Sequence, residues 1–326
     1  MALSPPRRLL ADIGATNARF ARADSDDHID KVRVLACDDH ASIEDALAAY
    51  LAEGPEEAPP REAAIAWAGP VTADAVSLTN HPWSFTISGL KRHLALSRLL
   101  VINDFAASAL AVPRLKESER FAIGAGAPIA DAPIGVLGPG SGLGMAALVP
   151  AKSGWIALSS EGGHATMAPA DDRESVVLDR MRHRFDHVSA ERALSGPGLV
   201  NLYNILAEIE GVPAAPFTPA QIADRHIGES DPLAREALAM FCAMLGTMAG
   251  NLALTLGARG GVYIAGGIVP RLGAHFAASP FRERFEAKGR FRPYLATIPT
   301  YVVTYPIPAF LGLAALLDRE HVGVGL

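Results

Sequence analysis

An α/β fold in two lobes is what this sequence predicts, and three observations predict it. The chain has 326 residues, 50% of them apolar and 20% charged; that is more chain than one hydrophobic core ordinarily serves, and too apolar for disorder. A strand, a glycine-containing turn and two more strands open the sequence, and the same order begins again near Ile134. Alternating helical and strand-like segments follow each meander, as in mixed sheets covered by helices. Two lobes facing each other across a cleft are expected, the cleft being where two substrates can meet.

The first lobe begins with LLADI, GATN and ARFARA, residues 9–23, read as strand, turn, strand. Residues 31–37 (KVRVLAC) are a third strand, and 43–53 have the apolar spacing of an amphipathic helix. GPEEAPPRE reads as a surface loop. Residues 63–69 and 98–104 are buried strands, the second feeding the helix FAASALAV. ERFAIGAGAPIADAP, rich in Gly, Ala and Pro, has room for a domain boundary or an exposed loop within it.

In the second lobe IGVLGPGSGLGMAALVP is strand, glycine-rich turn, strand, and GWIALSS adds a third. Helices are expected at VVLDRMRHRF, at GLVNLYNILAEIE and over 231–258, the last spanning roughly 42 Å if continuous. A buried strand at 260–268 follows, then a helix-like RLGAHFAASPFRERFEA, the strand TYVVTY and a terminal helix AFLGLAALLDRE.

Charge narrows the function classes. With 29 Lys+Arg against 35 Asp+Glu, the net charge of -6 offers no long-range attraction to nucleic acid or anionic lipid, so neither is an expected partner. Cys37 and Cys242 have no second Cys or His at ligand spacing, which points to buried thiols in a reducing compartment and away from a structural zinc. The N-terminus carries no apolar stretch of signal-peptide length, and no run approaches the roughly 20 apolar residues of a membrane span; a cytoplasmic protein is expected.

Several segments can carry chemistry. At the first turn small residues let backbone amides approach an anion, Thr16 and Asn17 can donate to phosphate oxygens, and Asp12 can hold a hydrated Mg2+. The alternative is a well-made hairpin turn without a ligand. Gly138 to Gly144 place four glycines in seven residues at another strand-to-strand turn, either a backbone contact surface or a tight corner. Neither segment fits the Walker or Rossmann pattern. Asp104 ends a buried strand and opens a helix, where it is either a proton acceptor for a hydroxyl or the helix cap; local pattern favours the cap. Glu161, His164, Glu191 and Asn103 form a set suited to a polyhydroxyl ligand. Asn80 to Trp83 is a polar-aromatic turn or a sugar contact. Gly266 and Gly267 allow a flat ring or ribose against the backbone, or close packing of a strand end.

Taken together, ADIGATNARF, LTNHPW, VINDFAA, GPGSGLG, EGGHATMAP, VSAERALSGPGLVNLY and GGVYIAGGIVPRL resemble, in this order, the bacterial glucokinase family, over about Leu10 to Pro306. The resemblance implies an ATP-dependent hexokinase with a two-lobed actin-like (ribonuclease H-like) fold. It implies a small lobe of residues 1–114 plus 305–326, a large lobe of 115–304, and a homodimer. By the same resemblance Ala11, Asp12, Ile13, Gly14, Ala15, Thr16 and Asn17 form one phosphate segment, and Gly138, Gly140, Ser141 and Gly142 another. Gly266 and Gly267 look like the adenosine side. Asn103, Asp104, Glu161, His164 and Glu191 match glucose-binding positions, with Asp104 as the base and Asp12 a water-mediated Mg2+ ligand. Ala15 departs from the family's second glycine, and YPIPAFLGLAALL only loosely follows its Pro-Gly-Leu-Leu-Gly pattern. The Cys/His zinc motif of ROK-type sugar kinases is missing from the sequence. The implied reaction is phosphoryl transfer from MgATP to the 6-hydroxyl of D-glucose; a non-catalytic sugar sensor on the same fold is the alternative from another class, and a kinase for another hexose or phosphoryl donor is the nearer rival.

Overall fold

The computed structural model describes residues 7–24, 28–53, 59–152, 154–224 and 231–318. The chain divides into two compact units: Met1–Leu115 with Trp155–Ser159 and Pro306–Leu326, and Lys116–Gly154 with Ser160–Tyr305.

The first unit is built on β1 (Arg8–Ile13), β2 (Asn17–Ala23), β3 (Ile29–Ala36), β4 (Glu62–Trp67) and β7 (Arg98–Asn103), in the sheet order β3-β2-β1-β4-β7. A separate ribbon pairs β5 (Ala75–Ser77) with β6 (Ser84–Thr86). β1 is antiparallel to β2 and parallel to β4, and β4 is parallel to β7. With a neighbour on each side, β1 is interior, which fits its apolar run LLADI. Helices α1 (Ile43–Ala52), α2 (Ile87–His93) and α3 (Asp104–Ala111) belong to this unit. Leu9, Phe20, Ile43, Leu47, Ile65 and Trp67 pack in its core.

The second unit repeats that order. Its sheet holds strands β8 (Arg120–Ile123), β9 (Ile134–Pro139), β10 (Leu143–Ala151), β11 (Gly154–Ser160), β12 (Val262–Ile264) and β13 (Thr300–Val303) in the order β11-β10-β9-β12-β13-β8, Trp155–Ser159 of β11 being the segment grouped with the first unit. β9 is antiparallel to β10 and parallel to β12, as β1 is to β2 and β4. Helices α4 (Asp172–Arg182), α5 (Gly196–Ile209), α6 (Pro219–Ala223) and α7 (Pro232–Leu256) come between β11 and β12. Four short helices follow β12: α8 (Val269–Leu272), α9 (Ala274–Ala277), α10 (Phe281–Glu286) and α11 (Arg292–Ala296).

The last described helix, α12 (Pro308–Leu317), returns to the first unit. It crosses α3 at Gly312, where a Cβ would stand 1.7 Å from the Ala107 carbonyl oxygen. Its end is fastened by arginines: Arg98 donates to the Leu317 carbonyl at 2.9 Å, and Arg8 and Arg114 both pair with Asp318. Burial alone would raise the Asp318 pKa, but these two hydrogen-bonded guanidiniums outweigh it and hold the group below the usual carboxylate range.

Several expectations need correction. Within ERFAIGAGAPIADAP the sequence announced no strand, yet Arg120–Ile123 pairs with β13. The strand expected over 260–268 is only Val262–Ile264, since Gly261 (φ 113°) and Gly266 (φ 84°) take left-handed conformations that end it on both sides. The helix expected from 271 onward is broken at Gly273, φ 50°. Cys37 leaves β3 and starts a 3-10 turn, Cys37–Asp39. Helix α7, contrary to the sequence expectation, is long and apolar enough to cross a membrane by length and composition; two thirds of its apolar window is buried within the protein, as in a core helix. Residues 54–58 of the expected surface loop, and 319–320 of the expected terminal helix, lie outside the described residues.

Candidate active site

In the first unit the predicted residues gather at one end of the sheet. Ile13, Trp67 and Asn103 are partners across β1, β4 and β7, so the turn after β1 and the helix after β7 leave the sheet side by side. Two strand spacings, about 10 Å, separate them. Open α/β sheets bind ligands at the carboxyl ends of their parallel strands, where these two features lie.

The turn is closed by Gly14 N–H donating to the Asn17 carbonyl at 3.0 Å. The side chains of Ala11 and Ile13 are fully buried in the core, which leaves only their backbone to any ligand. Gly14, Ala15 and Asn17 are half-buried and Thr16 is exposed. Asp12 sits opposite Arg19 across the β1–β2 ladder, its Oδ2 accepting from Arg19 Nη1 at 3.0 Å. Burial raises the Asp12 pKa and the Arg19 charge opposes the rise.

Below the turn lies Cys37, which the sequence offered only as a buried thiol. Its amide donates to the Thr16 carbonyl at 3.0 Å and its Sγ–H to the Gly14 carbonyl at 3.3 Å. Burial, and secondly Asp38, push the thiol pKa up, so it stays a protonated donor at neutral pH. The segment after it is held by Trp83, whose Nε1–H donates to the His40 carbonyl at 3.1 Å. Trp83 itself is buried in the core, while Asn80 and Pro82 of the same turn are exposed.

Asp104 is the first residue of α3, and the helix cap is Asn103, correcting the local reading that favoured Asp104. Asn103 Oδ1 accepts from the amides of Phe105 (2.9 Å) and Ala106 (3.1 Å), and its Nδ2 reaches the Gly69 carbonyl at 3.5 Å. Asp104 Oδ1 also accepts from Phe105 N–H at 2.9 Å. A buried cap thus fixes the backbone that presents a half-exposed carboxylate.

The second unit brings its predicted residues together around the β9–β10 turn. Gly138 and Gly266 are glycines because two strand ends meet there: a Cβ on Gly138 would stand 2.5 Å from the Ala265 oxygen, and one on Gly266 2.5 Å from the Pro139 oxygen. Gly140 and Gly267 differ, with nothing within 4 Å of a Cβ and φ outside the left-handed region. Gly14 resembles them, its nearest neighbour being the Asn17 oxygen at 3.6 Å. Packing explains neither Gly140 nor Gly267, and each leaves room for a ligand against bare backbone. Ser141, between Gly140 and Gly142, is exposed.

Glu161 precedes the 3-10 turn Gly162–His164, and both side chains are exposed, with His164 Nε2 4.0 Å from Glu161 Oε2. Gly163 lets this turn lie on β10, since a Cβ would be 2.0 Å from the Leu143 oxygen. Glu191, on the 3-10 turn Ala190–Arg192, accepts from the Leu143 amide through Oε2 at 2.9 Å. The two turns are tied by Ala190 N–H to Ala165 O at 2.8 Å. Leu143 is therefore the backbone point on which both turns converge. Among the described residues no group of three or more His, Cys, Asp or Glu could hold a metal ion directly.

Two meanders of one topology, each with a glycine turn beside a parallel strand, define the two-lobed actin-like fold of the sugar kinases. Structures of that fold include a ROK family glucokinase from Streptomyces griseus in complex with glucose and AMPPNP (TM-score 0.66, 18% identity, covering 95% of this chain and 98% of that one), a likeness of fold alone. A crystal structure of a glucokinase from an Antarctic psychrotroph is nearer, with TM-score 0.86 and 37% identity over 97% of this chain and all of that one. A glucokinase of Paramagnetospirillum magneticum is 52% identical over 310 residues, 95% of this chain and 97% of its own length. The Glucokinase family model matches residues 9–320. The chain belongs to the glucokinase family.

Proposed function

We propose that the protein transfers the γ-phosphoryl group of ATP to the 6-hydroxyl of D-glucose, with Asp104 as the base. The observation that carries this reading is the placement of Asp104: a half-exposed carboxylate at the carboxyl end of a parallel strand, held by a buried Asn103 cap, in a chain of the glucokinase family. Asp104 accepts the hydroxyl proton as the phosphoryl group moves. Asn103 spends its side-chain oxygen on α3, so its part is mainly to position Asp104. Glu161, His164 and Glu191 bind sugar hydroxyls, and directional bonds from two carboxylates and an imidazole fix the orientation of the ring.

The glycine turns take the phosphates: Gly14 to Asn17 on the first unit, Gly138 to Gly142 on the second, with Gly266 and Gly267 on the adenosine side. Open space at Gly140 and Gly267 supports this assignment. Mg2+ fits here as a hydrated ion: Asp12 Oδ2 accepts from Arg19, which leaves Oδ1 as the oxygen for one of the ion's waters. When bound, the ion neutralises phosphate charge. A homodimer in the cytoplasm completes the reading; the buried Cys37 and Cys242 thiols, the latter pushed up to about 12 by burial, suit a reducing compartment.

The test is Asp104→Asn. Turnover should fall by about 10² to 10⁴, while calorimetric glucose affinity stays within about threefold, because the substituted amide is isosteric and still polar. Near-normal turnover in that variant would falsify the assignment of the base.

A further inference from the structure

The bond between Glu191 and the second glycine turn gives this residue a role that sugar binding alone does not require. Glu191 Oε2 lies 2.9 Å from the Leu143 amide, the first residue after Gly142. A Cβ on Gly142 would stand 2.4 Å from that same oxygen and 3.2 Å from Cδ. A side chain at Gly142 would thus displace the carboxylate, whereas a Cβ on Gly140 would meet nothing within 4 Å. The segment after Glu191 is fastened to the turn a second time, by Gly196 N–H to the Gly140 carbonyl at 2.8 Å. Ser195 closes the strap: its Oγ donates to the Glu191 carbonyl at 2.8 Å and accepts from Gly198 N–H at 3.0 Å, capping α5.

We infer that Glu191 is the positioning residue of the Gly140–Gly142 turn as well as a sugar ligand, so that sugar binding and nucleotide binding are coupled through one carboxylate. This deepens the kinase reading and rests on it. Oε2 holds the turn by a charge-assisted bond to backbone, and Oε1 is the oxygen left for a sugar hydroxyl. Any displacement of the carboxylate by one ligand is felt by the other, and the coupling is reciprocal by thermodynamic necessity.

The experiment is calorimetry on the full-length protein with one ligand at a time: glucose without nucleotide, and a magnesium complex of a non-hydrolysable ATP analogue without sugar. Glu191→Ala should weaken nucleotide binding about tenfold in the absence of sugar, the loss expected for one charge-assisted hydrogen bond. Glu191→Gln, which keeps an acceptor for the Leu143 amide, should restore most of that loss. Gly142→Ala, which pushes the carboxylate aside, should weaken glucose binding about tenfold without nucleotide, whereas Gly140→Ala should leave it unchanged. A residue that only binds sugar would not move the nucleotide affinity of sugar-free enzyme. Nucleotide affinity of Glu191→Ala within about twofold of wild type overturns the inference. Should that variant not fold, unchanged glucose affinity in Gly142→Ala overturns it instead. A wild-type protein that binds glucose and nucleotide while the variants show no cross-effect loses only this inference; one that binds neither loses the kinase reading.

Discussion

The turn at Gly14–Thr16 and the turn at Gly140–Gly142 close equivalent strand pairs in two sheets of the same order, yet they are seated by different chemistry. The first rests on Cys37, at the end of its own meander, through an amide and a buried thiol. The second rests on Glu191 and Gly196, which follow the third strand by some thirty residues, through a carboxylate and an amide. A thiol that burial keeps protonated can hold a turn but cannot bind a sugar. A carboxylate with one oxygen to spare can do both. The same architecture thus yields, on this account, a first unit whose turn is a fixed phosphate seat beside the base and a second whose turn answers to the sugar.

The largest change in affinity is expected at Glu161: Glu161→Ala should raise the glucose Kd by about 10- to 100-fold, with the Kd for MgATP changed less than about threefold, both by calorimetry. A comparable loss of nucleotide affinity would erase the distinction between the units. Gly312→Ala should act on the base from behind. Its Cβ would collide with the Ala107 oxygen, so thermal melting should show a loss of about 1–3 kcal/mol, and kcat should fall more than the glucose KM rises, because α3 carries Asp104. Within the second turn, Gly138→Ala and Gly140→Ala should separate packing from ligand contact. The first meets backbone at 2.5 Å and should lose about 1–3 kcal/mol of stability. The second should stay within about 0.5 kcal/mol of wild type yet raise the KM for MgATP. The smallest effect is expected at Cys37: Cys37→Ala should raise the KM for MgATP about threefold, one weak hydrogen bond, with the glucose KM unchanged and Cys37→Ser restoring it.

Much of the architecture was legible because periodicity and turn chemistry act locally. The doubled meander and the carboxyl-end position of Asp104 follow from strand ends and glycine turns that the sequence displays, whereas Glu161, His164 and Glu191 are grouped by their chemistry and by the family resemblance. What escaped depends on partners distant in sequence. Nothing around Cys37 announces a thiol bond to a carbonyl 23 residues earlier, and the Asn103 cap is hidden by an adjacent Asp that is equally good at capping. The close approach at Gly312 leaves only a weak sign, one glycine inside an apolar helix. β8 is a four-residue strand whose partner, β13, lies about 180 residues on in sequence, and the Gly-, Ala- and Pro-rich residues after it read as loop. Glycines were the hardest residues to apportion, because sequence alone does not separate Gly142, crowded by a carboxylate, from Gly140, which faces open space.

The most direct test of the central claim is ADP release from MgATP across a panel of hexoses, read with a coupled assay on the purified chain. Release should depend on D-glucose and saturate with it, with glucose 6-phosphate formed in step with ADP. Absence of release with every hexose in the panel, from protein shown by calorimetry to bind glucose, would contradict the claim and shift the weight first to another phosphoryl donor and then to a sugar sensor.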